Sequence, residues 1–171
     1  STFPGMSERT LTISSAAKTF GFTGWKIGWA HGPSELLSAV RIAKQFLTYV
    51  NGAPFQHAIA EALKLDESYY INLALDMANK RDILCEGLEK AGFEVFRPSG
   101  TYYATVDIRP LGDEDGIEFC WDLPNRCGVV AVPNEVFYDN KTIGKPLVRF
   151  AYCKRPEVLD HAVEKLLSLK A

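Results

Sequence analysis

Ser14-Ser15-Ala16-Ala17-Lys18-Thr19-Phe20-Gly21-Phe22-Thr23-Gly24-Trp25-Lys26-Ile27-Gly28-Trp29 is the stretch on which the reading of this chain turns. It lies between and within two runs that read as strands: Thr10-Leu11-Thr12-Ile13, β-branched and apolar, and Trp25 to Ala30, which stops at Gly32-Pro33. The segment from Ser14 to Gly24 is too polar and too interrupted by glycine to predict a regular element, so it reads as a loop with a task. Lys18 lies there beside small residues and aromatics, a setting that partly desolvates an amine and makes it a nucleophile toward a carbonyl carbon. A solvated surface lysine is the plain alternative, and residue type alone favours it.

Beyond Gly32-Pro33 the period of the apolar residues changes. Leu36, Val40, Ala43 and Leu47 recur at helical spacing, and Asn51-Gly52-Ala53-Pro54 breaks that helix before Phe55, Ile59, Ala62 and Leu63 begin a second one. Leu73, Met77, Leu84, Leu88 and Ala91 form the stripe of a third, with Gly92 placed to cap it. About 22 residues at 1.5 Å each span roughly 33 Å, enough to bridge two lobes. Phe93 to Phe96 and the alternating Tyr102, Ala104, Val106 and Ile108 then predict a hairpin across Arg97-Pro98-Ser99-Gly100. Ile117, Cys120 and Trp121 give a short helical face that Pro124 ends or kinks. Val129 to Val132 and Leu147 to Tyr152 read as buried strands, and a closing helix from about Pro156 turns Leu159, Ala162, Val163 and Leu166 inward. The pattern predicts an α/β chain whose lobes part between Glu67 and Lys90.

Composition narrows the function classes. The 171 residues are 47% hydrophobic and 23% charged, the mixture of a packed globular protein. Nineteen Lys and Arg against 21 Asp and Glu give a net charge of -2, too little positive field for a phosphate backbone, so no nucleic acid partner is expected. Cys85, Cys120, Cys127 and Cys153 form no Cys-x-x-Cys pair, and His31, His57 and His161 are isolated, so no metal site is expected and the thiols read as reduced and cytoplasmic. No stretch approaches the roughly 20 apolar residues of a membrane span, and the first residues lack a signal peptide's pattern.

Ser15 to Lys18 also matches the Ser-x-x-Lys of penicillin-recognising serine enzymes, but the Ser-Asp-Asn and Lys-Thr-Gly companions of that chemistry are absent. A second likeness covers essentially the whole chain. Ser-x-x-Lys, then Thr-Gly-Trp-Lys-Ile-Gly-Trp from Thr23, Gly-Pro after the strand, Gly100-Thr101-Tyr102-Tyr103 and Leu147-Val148-Arg149-Phe150 together resemble the class I/II aminotransferases. The narrower likeness is to the kynurenine, glutamine and methionine aminotransferases with their cysteine-conjugate β-lyase relatives, and to actinobacterial N-succinyldiaminopimelate aminotransferases.

The resemblance implies a fold and a set of roles. The fold is the C-terminal portion of a pyridoxal-phosphate-dependent transferase of fold type I. Residues 1–75 would be the end of the cofactor-binding large domain, and 76–171 a long connecting helix and an α+β small domain. It implies pyridoxal 5'-phosphate as cofactor, with Lys18 as the Schiff-base lysine and proton shuttle, Ser15 on the cofactor phosphate, and Lys26 as a point charge toward that phosphate where many relatives carry arginine. Arg149 corresponds to the arginine that grips the substrate carboxylate, whose planar fork fixes the orientation of the Cα–H bond. Tyr49 and Asn51 fall where relatives send residues toward a neighbouring subunit's substrate pocket, which implies a homodimer. Amino acids and 2-oxo acids are the implied substrates, with β-elimination from cysteine S-conjugates as the alternative chemistry. The ring-stacking aromatic and the residues that hold the pyridine nitrogen precede the lysine in complete relatives. The chain is therefore expected to be a C-terminal part, and by itself a catalytically incomplete folded lobe.

Overall fold

The computed structural model describes residues 1–170, which divide into two compact units, Ser1–Ile71 and the chain from Asn72 onward.

In the first unit, β1 (Thr12–Ser15) and β2 (Gly28–His31) pair antiparallel, Ser15 opposite Gly28 and Thr12 opposite His31. The strands are displaced from their expected places at Thr10–Ile13 and Trp25–Ala30. Trp25 closes a 3-10 turn at Thr23–Trp25, and the loop expected from Ser14 to Gly24 contains a single helical turn, α1 (Ala16–Thr19). Gly28 explains the shift: a Cβ there would stand 2.7 Å from the Ser14 carbonyl oxygen, so only glycine lets the ladder close at this end. Helices α2 (Ser34–Leu47) and α3 (Ala53–Ala62) follow. The unit's buried core is small, Ala16, Ile27 and Ile59, with Phe20, Phe22 and Trp29 packed on it. The predicted helix is present, but its apolar stripe is uncovered. No α2 residue is buried, because nothing in the unit covers that face, and Phe46 and Leu47 are more than four-fifths exposed.

Helix α4 (Glu67–Lys90) starts in the first unit and runs on into the second, where its stripe of Leu84, Cys85 and Leu88 is buried and Gly92 follows at φ +98°. The second unit holds β3 (Glu94–Phe96), β4 (Tyr103–Asp107), α5 (Gly116–Cys127), β5 (Val132–Pro133), the short α6 (Lys141–Gly144), β6 (Leu147–Ala151) and α7 (Pro156–Leu167). The four strands form one antiparallel sheet in the order β3-β4-β6-β5. Strand alternation divides the sheet's faces. Ala104, Val106, Val148 and Phe150 are buried in the core with Leu88, Phe93, Phe119, Leu123, Leu159 and Leu166, while Tyr103, Thr105 and Arg149 stand on the opposite face.

Two expectations for this unit need correction. Of the two effects expected of Pro124, ending the helix or kinking it, the first does not occur. Pro124 sits in the last turn of α5, where it forfeits one hydrogen bond, and the helix continues to Cys127 before Gly128, at φ +72°, sends its N–H back to the Pro124 carbonyl. Asp115 starts the helix by accepting the N–H groups of Ile117 and Glu118 at 2.9 and 3.1 Å. Gly116, Phe119 and Leu123 take the buried face, which turns Trp121 outward to 80% exposure. The strand predicted over Val129–Val132 is found only at Val132–Pro133, where Pro133, without an N–H for a further ladder bond, suits the sheet edge that β5 occupies.

Candidate functional site

Lys18 lies on α1, on the unit's exposed surface, in a backbone held from both sides. The carbonyl before it, Ala17 O, accepts the Thr23 hydroxyl at 3.3 Å, and the carbonyl after it, Thr19 O, accepts the Tyr69 phenol at 2.7 Å. Ser15 caps the turn: its Oγ accepts the Ala17 N–H at 3.2 Å. The buried Ala16 sends its N–H to the Ile27 carbonyl at 3.0 Å, which anchors the turn to the second strand. Below the turn runs a row of rings, Tyr69–Phe20–Phe22–Trp25–Phe55, with neighbouring centroids 4.4 to 5.9 Å apart.

Lys26 is in the left-handed region, φ 55°, a conformation a side chain adopts at a cost. Its carbonyl accepts the Asn51 amide at 3.2 Å, so Asn51 ties the strand entrance to the segment after α2. Tyr49, also left-handed at φ 57°, is 73% exposed, with its N–H on the Lys44 carbonyl. A third left-handed residue, Thr101 at φ 70°, falls in the Gly100-Thr101-Tyr102-Tyr103 motif of the second unit. Its carbonyl and that of Gly100 accept the buried Tyr152 phenol at 2.9 and 3.2 Å. Strained backbone collects where a structure holds side chains in a chosen direction. Here all three non-glycine cases lie in segments that the sequence singled out.

Arg149 belongs wholly to the second unit. It sits opposite Thr105 on β4 and Val132 on β5. Its guanidinium carbon lies 4.2 Å from the Tyr103 ring centre and 4.0 Å from that of Phe137, so the cation lies over two aromatic rings. Tyr103 is the diagonal neighbour across the ladder, within reach of a long side chain. No carboxylate pairs with Arg149 among the described residues, and its Nε is buried without a partner there. An open cavity of about 390 Å³ lies in front of it, lined also by Thr101, Tyr103, Thr105, Asn134 and Phe137. A hydrogen bond with Tyr102, then burial, holds the Tyr103 phenol above its ordinary value, so the ring beside the cation is a neutral phenol.

These side chains fit the chemistry of pyridoxal 5'-phosphate and an amino acid. The Ser15 hydroxyl accepts from Ala17 N–H and has its own proton for a phosphate oxygen; the pairing of Ser15 with Gly28 sets it two residues from the cationic Lys26. Lys18 supplies an exposed primary amine on a turn whose neighbouring carbonyls are pinned. A stacked guanidinium with an unpartnered donor suits a carboxylate. Three contributors escaped the sequence reading. Thr23 stands in the Thr-Gly-Trp-Lys motif without a role that spacing alone assigns; Tyr69 acts from 50 residues away; and Asn134 adjoins the Pro133 that reads only as a strand breaker. Among the described residues no group of three His, Cys, Asp or Glu is placed to hold a metal, and no helix is long and apolar enough to cross a membrane.

Comparison with known proteins identifies the family. The family model for aminotransferase class I and II matches residues 3–166. A probable N-succinyldiaminopimelate aminotransferase of Mycobacterium tuberculosis is 48% identical over 96% of this chain, and a kynurenine–oxoglutarate transaminase of Dictyostelium discoideum is 38% identical over 99%. The solved N-succinyldiaminopimelate aminotransferase of M. tuberculosis superposes with a TM-score of 0.90 at 50% identity, covering 98% of this chain and 44% of that one. The Escherichia coli protein with a methionine aminotransferase function does so at 0.87 and 33%, covering 95% and 43%. This chain spans 43% of the length of the two curated relatives. With the family model matching nearly its whole length, the chain belongs to the class I and II aminotransferases, a family of pyridoxal phosphate enzymes.

Proposed function

We propose that this chain is the C-terminal part of an amino acid:2-oxo acid aminotransferase, with residues 1–75 contributing to the cofactor-binding domain and 76–171 forming the small domain. The observation that carries the reading is the family match over residues 3–166, which includes both the lysine on its pinned turn and the stacked, unpaired arginine. The cofactor, when bound, supplies a pyridine ring that withdraws electrons from the substrate's Cα. The chain's own residues do the rest. Lys18 Nζ would hold the cofactor through its aldehyde carbon and would be the base placed to accept the proton from the substrate's Cα. Ser15 would donate to the phosphate and Lys26 would add a charge there, so these two residues would fix the cofactor's position. Arg149 binds the α-carboxylate in the plane of its fork, which fixes the direction of the Cα–H bond.

We assign Tyr49 to a neighbouring subunit's pocket in a homodimer. The exposed Phe46, Leu47, Tyr49 and Val50 form the kind of uncovered apolar run that a subunit contact buries. We place the enzyme in the cytoplasm, where the four free cysteines stay reduced. The test is amine transfer by the full-length protein with its cofactor, using a panel of amino acids and 2-oxoglutarate. Appearance of glutamate in step with loss of the donor amine supports the proposal. Pyruvate and ammonia from cysteine S-conjugates, with no amine transfer from any donor, overturns it in favour of elimination.

A further inference from the structure

Asn134 is 7% exposed, and its backbone is fixed at both ends. Its N–H donates to the Leu147 carbonyl at 2.8 Å, and its own carbonyl accepts the Phe137 N–H at 2.9 Å. Asn134 lines the cavity in front of Arg149. There Nδ2 donates to Thr105 Oγ1 across a long 3.5 Å, and Oδ1 is buried with no partner among the described residues. A buried amide oxygen left unpaired costs free energy, and native structures rarely keep one without a use. The same cavity holds the unpartnered Arg149 Nε. Two buried atoms of opposite sense, a donor and an acceptor, thus belong to residues that line one open space.

We propose that Asn134 is a specificity-determining residue: its Oδ1 accepts a hydrogen bond from a hydroxyl or N–H group carried on the side chain of the amino acid whose carboxylate Arg149 holds. The inference rests on the carboxylate reading of Arg149. The α-amine is not the donor, because it is the group transferred and the 2-oxo acid lacks it. A side-chain donor is present in both the amino acid and its oxo acid, so it satisfies Asn134 in both half-reactions. A purely apolar side chain would seal Oδ1 away from water and leave it unpaired, and a polar site rejects such an analogue more strongly than an apolar pocket rejects an added hydroxyl.

The experiment measures kcat/KM of the full-length holoenzyme for three pairs of amino acids matched in length, one member with a side-chain donor and one without: threonine and valine, homoserine and norvaline, glutamine and methionine. The pair whose length reaches Oδ1 should favour the donor about tenfold or more. Asn134→Leu, close in volume but without the amide, should bring that ratio to about one, while Asn134→Asp keeps an acceptor and should keep the preference. Preferences below about threefold in all pairs of the wild type, or a preference that survives in Asn134→Leu, overturn the proposal. Where Asn134→Leu does not fold, Asn134→Asp decides: a retained preference supports the role and a lost one overturns it. Arg149→Lys separates the two readings, since unchanged alanine turnover in that variant counts against the carboxylate site itself, whereas the Asn134 result is read only from ratios within pairs.

Discussion

The Arg149 guanidinium carbon lies 4.0 Å from the centre of the Phe137 ring. The Tyr103 ring centre lies 4.2 Å from the same carbon, so two aromatic rings restrain the cation. A lysine at this position would carry the same charge without a plane to stack or a fork to present. Arg149→Lys should therefore lower kcat/KM for amino acids by about 100-fold. Amines without a carboxylate should react at their unchanged low rate in the same assay of the full-length enzyme, and an equal loss for both substrate types would make Arg149 a structural residue.

Phe137 tests the stack from the other side. The residue is 58% exposed, so Phe137→Leu should cost the fold less than about 1 kcal/mol. Losing one aromatic face should instead raise KM for amino acids several-fold, with a smaller effect on kcat. Steady-state kinetics beside a denaturation curve check both halves.

Tyr152 supports the Thr101 turn behind the same cavity. Its phenol donates to the carbonyls of Gly100 and Thr101, and the residue is buried, so Tyr152→Phe leaves those carbonyls without their donor. The expected cost is about 1–2 kcal/mol in chemical denaturation. Thr101→Gly should act in the opposite direction by up to about 1 kcal/mol, because glycine adopts φ 70° without a Cβ penalty.

What was legible in the sequence was local. The strand alternation of Tyr102 to Ile108, the apolar run of Leu147 to Tyr152, the stripe of the long helix, and the Ser15-Lys18-Lys26 spacing are each set by neighbours a few residues away. The misreadings depended on what covers what. Periodicity marked an apolar face on α2, but covering that face depends on other elements; Trp121 lost the inner face of α5 to Phe119 and Leu123. The site shows the same division. Lys18 and Arg149 carry chemistry in their residue types, whereas Tyr69 and Asn134 matter through a bond to Thr19 and a shared cavity with Arg149, neither visible until the chain has folded.

Asp107 gives the acid limit of the second unit. It is buried, and the Arg109 side chain, which bonds both its oxygens at 3.0 and 3.1 Å through Nε, holds its carboxyl below the ordinary value. A carboxyl with a lowered folded value stabilises the fold above its unfolded value near 3.8, and that contribution is lost as pH falls through the folded value. Stability should thus drop below about pH 4. In Asp107→Asn it should be lower at neutral pH and vary less across that range, as denaturant midpoints between pH 2.5 and 7 would read out.

The central claim is that Lys18 carries the cofactor. Borohydride reduction of the full-length holoenzyme fixes pyridoxal phosphate to the amine that holds it, and peptide mapping by mass then reads the position. The label should fall on Lys18, in the peptide that contains the pinned turn, and should be absent in Lys18→Ala. A label on Lys26 or on any other lysine would contradict it.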